Sequence, residues 1–405
     1  MSEHQLPFTL TPVVDKDFVG RKALIEELCK QLSSKNKLGF SVSGIRRIGK
    51  TSVLKEVSRR LDEKDVPTVY VSVWRVSPST VDEFVRVMNR AAIAAFNDVL
   101  PVRFKLEEVL DAGKSALRKF LQGLKLSAKV VADMEVSVSY VRRESDDVDA
   151  AITSCFSLIE HMGEMTSRLP VLMLDEFPSL VDLSYGSKNQ KVGESMIRLI
   201  RTLYEDFRRT KIVVSGSNRQ TLQNLVARQK APFYKQLLLR EVKPFSDEEY
   251  GEFLSRYLPW LRFDKHADDP VHDFRSDLLA VSSGIPYNLQ LLGSELESKG
   301  VKQLGKGNLE MVVDSVLKNQ GELSFREFLS DLTPSQTKVL RALAKHGPSG
   351  VRPSEISAKE YIGKEAVGYS LNMLVAKGIL RHGGKGEYGF VDNLFMAWLK
   401  ATNDQ

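Results

Sequence analysis

Gly44-Ile45-Arg46-Arg47-Ile48-Gly49-Lys50-Thr51 is the stretch from which the rest of this chain is read. It fits G-x-x-x-x-G-K-[S/T] at every fixed position. Upstream, Leu38 to Gly44 is a short apolar run that ends in a glycine turn. Downstream, Val53, Leu54, Val57 and Leu61 fall at helical spacing. A strand, a glycine turn and a helix N-terminus make an anion cradle. The glycines let successive backbone N–H groups turn inward on phosphate oxygens, and the helix dipole aims its positive end at the same place. Lys50 then supplies a point charge to the β- and γ-phosphates, and the Thr51 hydroxyl is a ligand for Mg2+. Gly44 through Ser52 are therefore the candidate nucleotide-binding residues, with ATP and Mg2+ as the expected ligands. Arg46 and Arg47 are expected on phosphate, with a neighbouring subunit or solvent as alternatives.

Working outward, Pro67–Val73, Pro170–Leu174 and Lys211–Ser215 are apolar runs of strand length. Uniformly apolar strands suit a parallel sheet covered on both faces. Helical spacing over 51–61, 146–168 and 194–209 supplies the covering helices, and 80–124 also reads as mostly helical. Val130–Val141 alternates apolar and polar side chains, which predicts a strand or hairpin inserted at about 96–145. The Pro170–Leu174 strand runs into Asp175-Glu176. A carboxylate at a buried strand end can hold the water shell of Mg2+, a role for Asp175. Glu176, one residue on, can polarise an attacking water. At the end of the next strand, Ser217, Asn218 and Arg219 are candidates to sense a γ-phosphate, and Asn218 is the catalytic choice.

Beyond Pro244 the strands stop. Ser246-Asp-Glu-Glu249 has the form of a capping box, and helical patterns run to about Asp331. Thr333-Pro334 is an N-cap and N1 pair opening two more short helices. Leu340, Leu343 and Ala344 give the first an apolar face, and Ile356 and Tyr361 mark the second. A strand, a glycine-rich turn and a strand follow over 378–391.

Composition sets the outer limits. The 405 residues suggest two or three domains. A formal charge of +6 permits an anionic partner without demanding one. Two cysteines, Cys29 and Cys155, exclude a disulfide framework and a cysteine-built zinc site. The histidines lack metal-site spacing. No apolar run reaches a membrane span, and Met1–Leu10 lacks the pattern of a secretory signal, so a cytoplasmic location with no membrane partner is expected. Trp74, Trp260 and Trp398 read as core residues, as does Cys29.

These motifs together resemble a known family. Phe18-Val19-Gly20-Arg21 with Glu26-Glu-Leu28, the 44–54 stretch, Leu174-Asp-Glu-Phe-Pro178, Ser215-Gly-Ser217, Pro232-Phe-Tyr234 with Lys243-Pro-Phe245, Gly284-Ile-Pro286 and Asp392-x-x-Phe-x-x-Trp398 are similar to the archaeal-type ATPases of the STAND branch of AAA+-like P-loop proteins. The resemblance runs from about Asp17 to Trp398. It implies an α/β fold: a P-loop NTPase with a parallel doubly wound sheet over 1–243, an all-helical lid over 244–331, and a small winged-helix (α+β) domain over 332–405. It also implies an Mg-ATP site, an adenine pocket at Phe18, Val19, Gly20 and Arg21, and a lid that brings Pro286 to the nucleotide. One departure is plain: relatives carry Gly-Arg where Lys235-Gln236 stand here.

Residues 333–405 hold ten Lys and Arg against six Asp and Glu. Lys364–Lys377 is the candidate recognition helix. Val367, Leu371, Leu374 and Val375 would face inward, and Lys364, Glu365, Tyr369, Ser370 and Asn372 outward. Arg381, His382 and Lys385 would form the wing, so 364–385 is the expected contact with double-stranded DNA. The whole reads as an ATP-binding, ATP-hydrolysing switch that couples nucleotide to a DNA-binding winged helix. Arg201, Arg208 or Arg209 is the candidate finger if the chain forms a homo-oligomer. Two other readings stay open: a replication-initiator-like DNA-binding ATPase, and an ATP-bound scaffold whose winged helix docks an unidentified protein.

Overall fold

The computed structural model describes residues 6–98, 126–141, 146–185, 190–217, 219–226, 231–269, 271–330, 332–346, 351–360, 363–383 and 386–403. Its first half is built on strands β1 (Gly39–Ser43), β2 (Thr68–Ser72), β3 (Val171–Asp175), β6 (Lys211–Gly216) and β7 (Leu237–Glu241); a short antiparallel pair, β4 (Ser184–Tyr185) and β5 (Gln190–Lys191), lies apart from them. The five form one sheet in the order β2-β3-β6-β1-β7, and every pairing is parallel. Successive side chains in a strand point to opposite faces, so each apolar strand feeds two cores. Phe40, Val42, Val171, Met173 and Val213 pack under α1 (Lys22–Ser33) and α2 (Lys50–Asp62). Val69, Val71, Leu172, Leu174, Ile212 and Val214 pack under α3 (Val81–Phe96), α4 (Ala128–Val141), α5 (Val148–Thr166), α6 (Gly193–Asp206) and α7 (Arg219–Val226). All residues of β3 and β6 are buried, which explains the apolar runs Val171–Leu174 and Ile212–Val214 within them.

The 130–141 stretch is α4, a helix, and neither a strand nor a hairpin. Its alternation is real, but Val130, Met134, Ser137 and Val138 also fall at i, i+4, i+7 and i+8, and these are buried together with Tyr140. Ala128, Lys129, Ala132, Met134 and Glu135 are good helix formers, and α5 offers the surface that this face needs. The remainder of the expected insertion, over 99–125 and 142–145, lies outside the described residues. β7 is a strand beyond those expected, paired in parallel with β1 at the edge of the sheet.

After β7 the chain is helical: α8 (Asp247–Tyr257), α9 (Phe274–Ser282), α10 (Pro286–Ser298), α11 (Lys306–Val316), a π-helical turn Leu317–Gly321, and α12 (Glu322–Ser330). Ser246 and Glu249 form the expected capping box on α8. Contrary to a purely helical reading, β8 (Arg262–Phe263) and β9 (Gln303–Leu304) pair in parallel across this region. Then come α13 (Pro334–Lys345), α14 (Pro353–Glu360), α15 (Lys364–Ala376), an antiparallel hairpin of β10 (Leu380–His382) and β11 (Tyr388–Phe390), and α16 (Asn393–Asn403). Three helices and a hairpin are the element order expected of a winged helix. Thr333 caps α13 with Pro334 at its first turn.

One apolar core runs without a break from Phe245 to Leu399. Gly321 is part of the reason. A Cβ there would lie 2.4 Å from Cδ1 of Trp398, so the π-helical turn lets α16 press its indole onto bare backbone. Gly193 plays a similar part at the start of α6, where a Cβ would lie 2.0 Å from the Leu180 carbonyl oxygen. Backbone atoms cannot swing aside as a side-chain tip can. Gly193→Ala is therefore expected to lower unfolding free energy by about 1–3 kcal/mol, read as a lower urea midpoint at unchanged slope.

Candidate functional site

The order of strands builds the site. β6 lies between β1 and β3, so the glycine loop after β1, the acidic pair after β3 and the serines ending β6 emerge side by side at one edge of the sheet. Gly44 leaves β1 where a Cβ would meet the Val242 carbonyl oxygen at 2.8 Å. Gly49 turns with φ 96, and Arg47 also takes a left-handed φ of 66. The loop then enters α2 at Lys50.

Lys50 is 5% exposed. Its Nζ donates to the carbonyl oxygens of Gly44 at 3.2 Å and Ile45 at 3.0 Å. An ammonium has three N–H donors, so one is left to face the cleft. Burial pushes this ammonium below its ordinary pKa, while Glu176 and Asp175 oppose that shift and Arg46 adds to it. Thr51 Oγ1 donates to Asp175 Oδ2 at 2.7 Å, and Tyr70 OH donates to the same oxygen at 2.8 Å. Asp175 Oδ1 accepts from Ser215 Oγ and from the Glu176 N–H. Four donors thus converge on one buried carboxylate and fix its orientation, and the Thr51 and Tyr70 hydroxyls among them can rotate away. The phenol of Tyr70 is pushed up by burial and by Asp175, so it stays a donor. Glu176 has φ 54, and its Oε2 accepts from Ser217 N at 2.9 Å and Ser217 Oγ at 3.0 Å.

A cleft opens over these groups. Arg46, Arg47, Gly49, Lys50, Thr51, Ser52, Glu176, Ser217 and Pro286 line it, with Trp74, Tyr287 and Gln290. A second, apolar cleft continues from it between Phe18, Val19, Ile48, Val53, Phe245, Phe253, Tyr257 and Pro286. Arg46 through Ser52, Glu176 and the expected lid proline thus line two adjoining clefts, with Asp175 buried behind Thr51. Pro286 is there because Gly284, at φ 63, turns the chain against Phe245 and starts α10. Gly20, at φ 75, makes a similar turn before Arg21. The Arg21 guanidinium lies 4.5 Å above the Phe245 ring and donates to Glu249 at 2.8 Å. Burial pushes Arg21 down and Glu249 pulls it back up.

Several groups here were not foreseen. Tyr70 and Ser215 read as ordinary strand residues, and only the neighbouring Asp175 gives them meaning. Trp74, expected in the core, is 60% exposed, because it follows β2 at the cleft rim beside Arg46. The chain from Thr9 to Val13 crosses the cleft: Gln290 Oε1 accepts from Thr9 N at 3.0 Å, and Ser52 Oγ accepts from Val13 N at 3.2 Å. Asn218 lies outside the described residues, as does Lys385. Arg46 and Arg47 line the cleft, yet their guanidinium groups lie over aromatic rings. Ser370 was expected outward but is 2% exposed, with its Oγ 3.2 Å from that of Ser335. Lys364, Glu365, Tyr369 and Asn372 do face outward. Arg208 and Arg209 lie at the far end of β6 from the loop, and Arg201 is paired with Glu205 at 2.6 Å. Lys235 adopts φ 62, a left-handed conformation that favours glycine.

Glu56, on α2, ties down the chain that crosses the cleft by accepting from Asp15 N at 2.8 Å. Burial would raise its carboxyl, but the donors from Arg59, Asp15 and Arg60 outweigh it and hold the pKa at about 2. An unfolded glutamate titrates near about 4.3, so the stabilisation is full above that pH and is lost as pH falls through the folded value. The stability difference between the native chain and Glu56→Gln is therefore expected to be constant above about pH 5 and to shrink steadily toward pH 2, measured by denaturant titration at each pH.

Residues 18–292 match the model of a family described as an ATPase domain found predominantly in Archaea. Among solved structures the chain is similar to a Walker-type ATPase of Pyrococcus abyssi, at 20% identity over 97% of this chain and 99% of that one, with a TM-score of 0.65. It is also similar to the ORC2 protein of Aeropyrum pernix, solved in ADPNP–ADP complexes, at 14% identity over 96% and 98% of the two chains, with a TM-score of 0.56. At these identities the likeness is one of fold. No curated protein matches the chain.

Proposed function

This chain belongs to the family of ATPase domains found predominantly in Archaea, and on that premise we propose that it is an Mg-ATP-dependent switch that hydrolyses ATP and carries a DNA-binding winged helix. The observation that carries this reading is the meeting of Lys50, Thr51 and Glu176 on one cleft, with Asp175 buried behind Thr51 and hydrogen-bonded to it. Backbone N–H groups of the loop, the N-terminus of α2 and the free N–H of Lys50 would hold the β- and γ-phosphates. The apolar cleft at Phe18 and Val19, closed by Pro286, would take the adenine.

The donor set suits Mg2+, which usually takes one or two protein ligands and keeps phosphates and waters for the rest. Thr51 Oγ1 would ligate it directly and Asp175 would receive its waters. When bound, Mg2+ neutralises charge on the phosphate oxygens. Glu176 would orient and deprotonate the attacking water, whose oxygen displaces ADP from the γ-phosphorus. Its Oε2 is held by Ser217, which leaves Oε1 for that water.

Glu176→Gln should keep ATP affinity within about threefold and cut turnover by at least about 100-fold. Phosphate release under saturating ATP tests it. Unchanged turnover in the variant would remove Glu176 from the reaction.

For the C-terminal module, the exposed face of α15 and the exposed Arg381 and His382 of the hairpin support double-stranded DNA as the partner. Lys364→Ala should weaken binding to duplexes of any sequence and lower the slope of log affinity against log salt by about 1. Anisotropy titrations at several salt concentrations measure both. No binding by the native chain at low salt contradicts the DNA assignment.

A further inference from the structure

We propose that Arg47 is a positioning residue for Lys50, held from outside the sheet by aromatic rings of the lid and C-terminal region, so that nucleotide affinity and docking of α16 rise together. The proposal rests on the nucleotide reading above and goes beyond it by naming what the loop is braced against.

Arg47 is embedded in the loop it would brace. Its left-handed φ of 66 lies between the Gly44 and Ile45 carbonyls that hold Lys50 Nζ and the Gly49 turn that starts α2. A side chain larger than glycine holds that conformation only when its surroundings over-determine it. Those surroundings are aromatic. The guanidinium carbon lies 4.4 Å from the ring centre of Tyr287 on α10, and 5.7 Å and 5.6 Å from those of Phe325 and Phe328 on α12. Arg46 adds a second guanidinium 5.6 Å from Phe328. Cations within about 6 Å of ring centres are attracted to the ring faces.

The same rings lead on to α16. Phe325 lies 5.5 Å from Phe395 and 5.9 Å from Trp398, and Phe328 lies 5.2 Å from Phe395. The start of α16 is tied back to the lid beside Gly284-Ile285-Pro286. Asp392 Oδ1 accepts from the N–H groups of Leu394 and Phe395 and from Asn288 Nδ2 at 2.9 Å, and Asn393 N donates to Ser283 Oγ at 2.9 Å. Burial pushes the Asp392 carboxyl up, and these donors and the Arg47 charge pull it down. One contiguous set of groups therefore runs from the phosphate loop through two arginines and three rings to the last helix. If the docked rings hold the loop ready, bound nucleotide must by linkage hold the rings docked.

The test is a double-mutant cycle on binding of a fluorescent ATP analogue with Mg2+. It uses the native chain, Arg47→Met, Phe325→Leu and the double variant, each checked by its thermal melt. Arg47→Met and Phe325→Leu are each expected to raise Kd by roughly fivefold or more, with the double variant no weaker than the weaker single. Hydrogen exchange over 393–403 should slow on nucleotide binding in the native chain and not in Arg47→Met. Native-like affinity in Phe325→Leu, or effects that multiply in the double variant, overturns the proposal. If Phe325→Leu does not fold, Phe328→Leu takes its place under the same criteria. A native chain that binds no nucleotide overturns the underlying site reading, whereas native binding without the coupling overturns the bracing alone.

Discussion

A 2.7 Å hydrogen bond from Thr51 to Asp175 joins two segments 124 residues apart, and the chemistry assigned to this chain depends on it. It forms because β1 and β3 run parallel in one sheet, so both strands deliver their C-terminal ends to the same edge. β6 between them delivers Ser215 and Ser217, which steady Asp175 and Glu176. β3 and β6 are buried throughout because helices cover both faces of the sheet there, and that burial fixes the positions of the polar groups at the edge. Tyr70 completes the carboxylate from β2.

The helical region after β7 and the C-terminal module are not separate beads on this platform. Arg21 reaches from the first motif to Glu249 of the α8 capping box, and Gly284 sets Pro286 over the phosphate loop. Asp392 ties α16 to Asn288 of α10, and the Phe245–Leu399 core is continuous. A change in the loop therefore meets packed side chains on the Arg47 side, where Tyr287, Phe325 and Phe328 lie. Packed cores resist small continuous deformation, which is the physical ground on which the proposed switch rests.

Much of this was legible in the residues. A glycine turn between an apolar strand and a helix has few other uses, and Lys50, Thr51, Asp175 and Glu176 could be named before any geometry was known. The capping box at Ser246 and the cap at Thr333 were legible because caps are local. α4 was not, since VVADMEVSVSYV satisfies both a period of two and a helical face, and only the neighbouring α5 decides between them. Nor was β7, where only three leucines precede the charged Arg240-Glu241, an apolar run too short to mark a strand by itself. Tyr70, Ser215 and the arginine cage depend on contacts far apart in sequence, where periodicity carries no information.

The central claim is that the Lys50 cradle takes the phosphates of a magnesium–adenine nucleotide. Calorimetric titration of ATP, with Mg2+ and then with chelator, into the native chain and Lys50→Ala tests it most directly. The account predicts saturable, magnesium-dependent binding at one site per chain, lost in the variant. An absence of saturable binding by the native chain, or equal binding by Lys50→Ala, would contradict it.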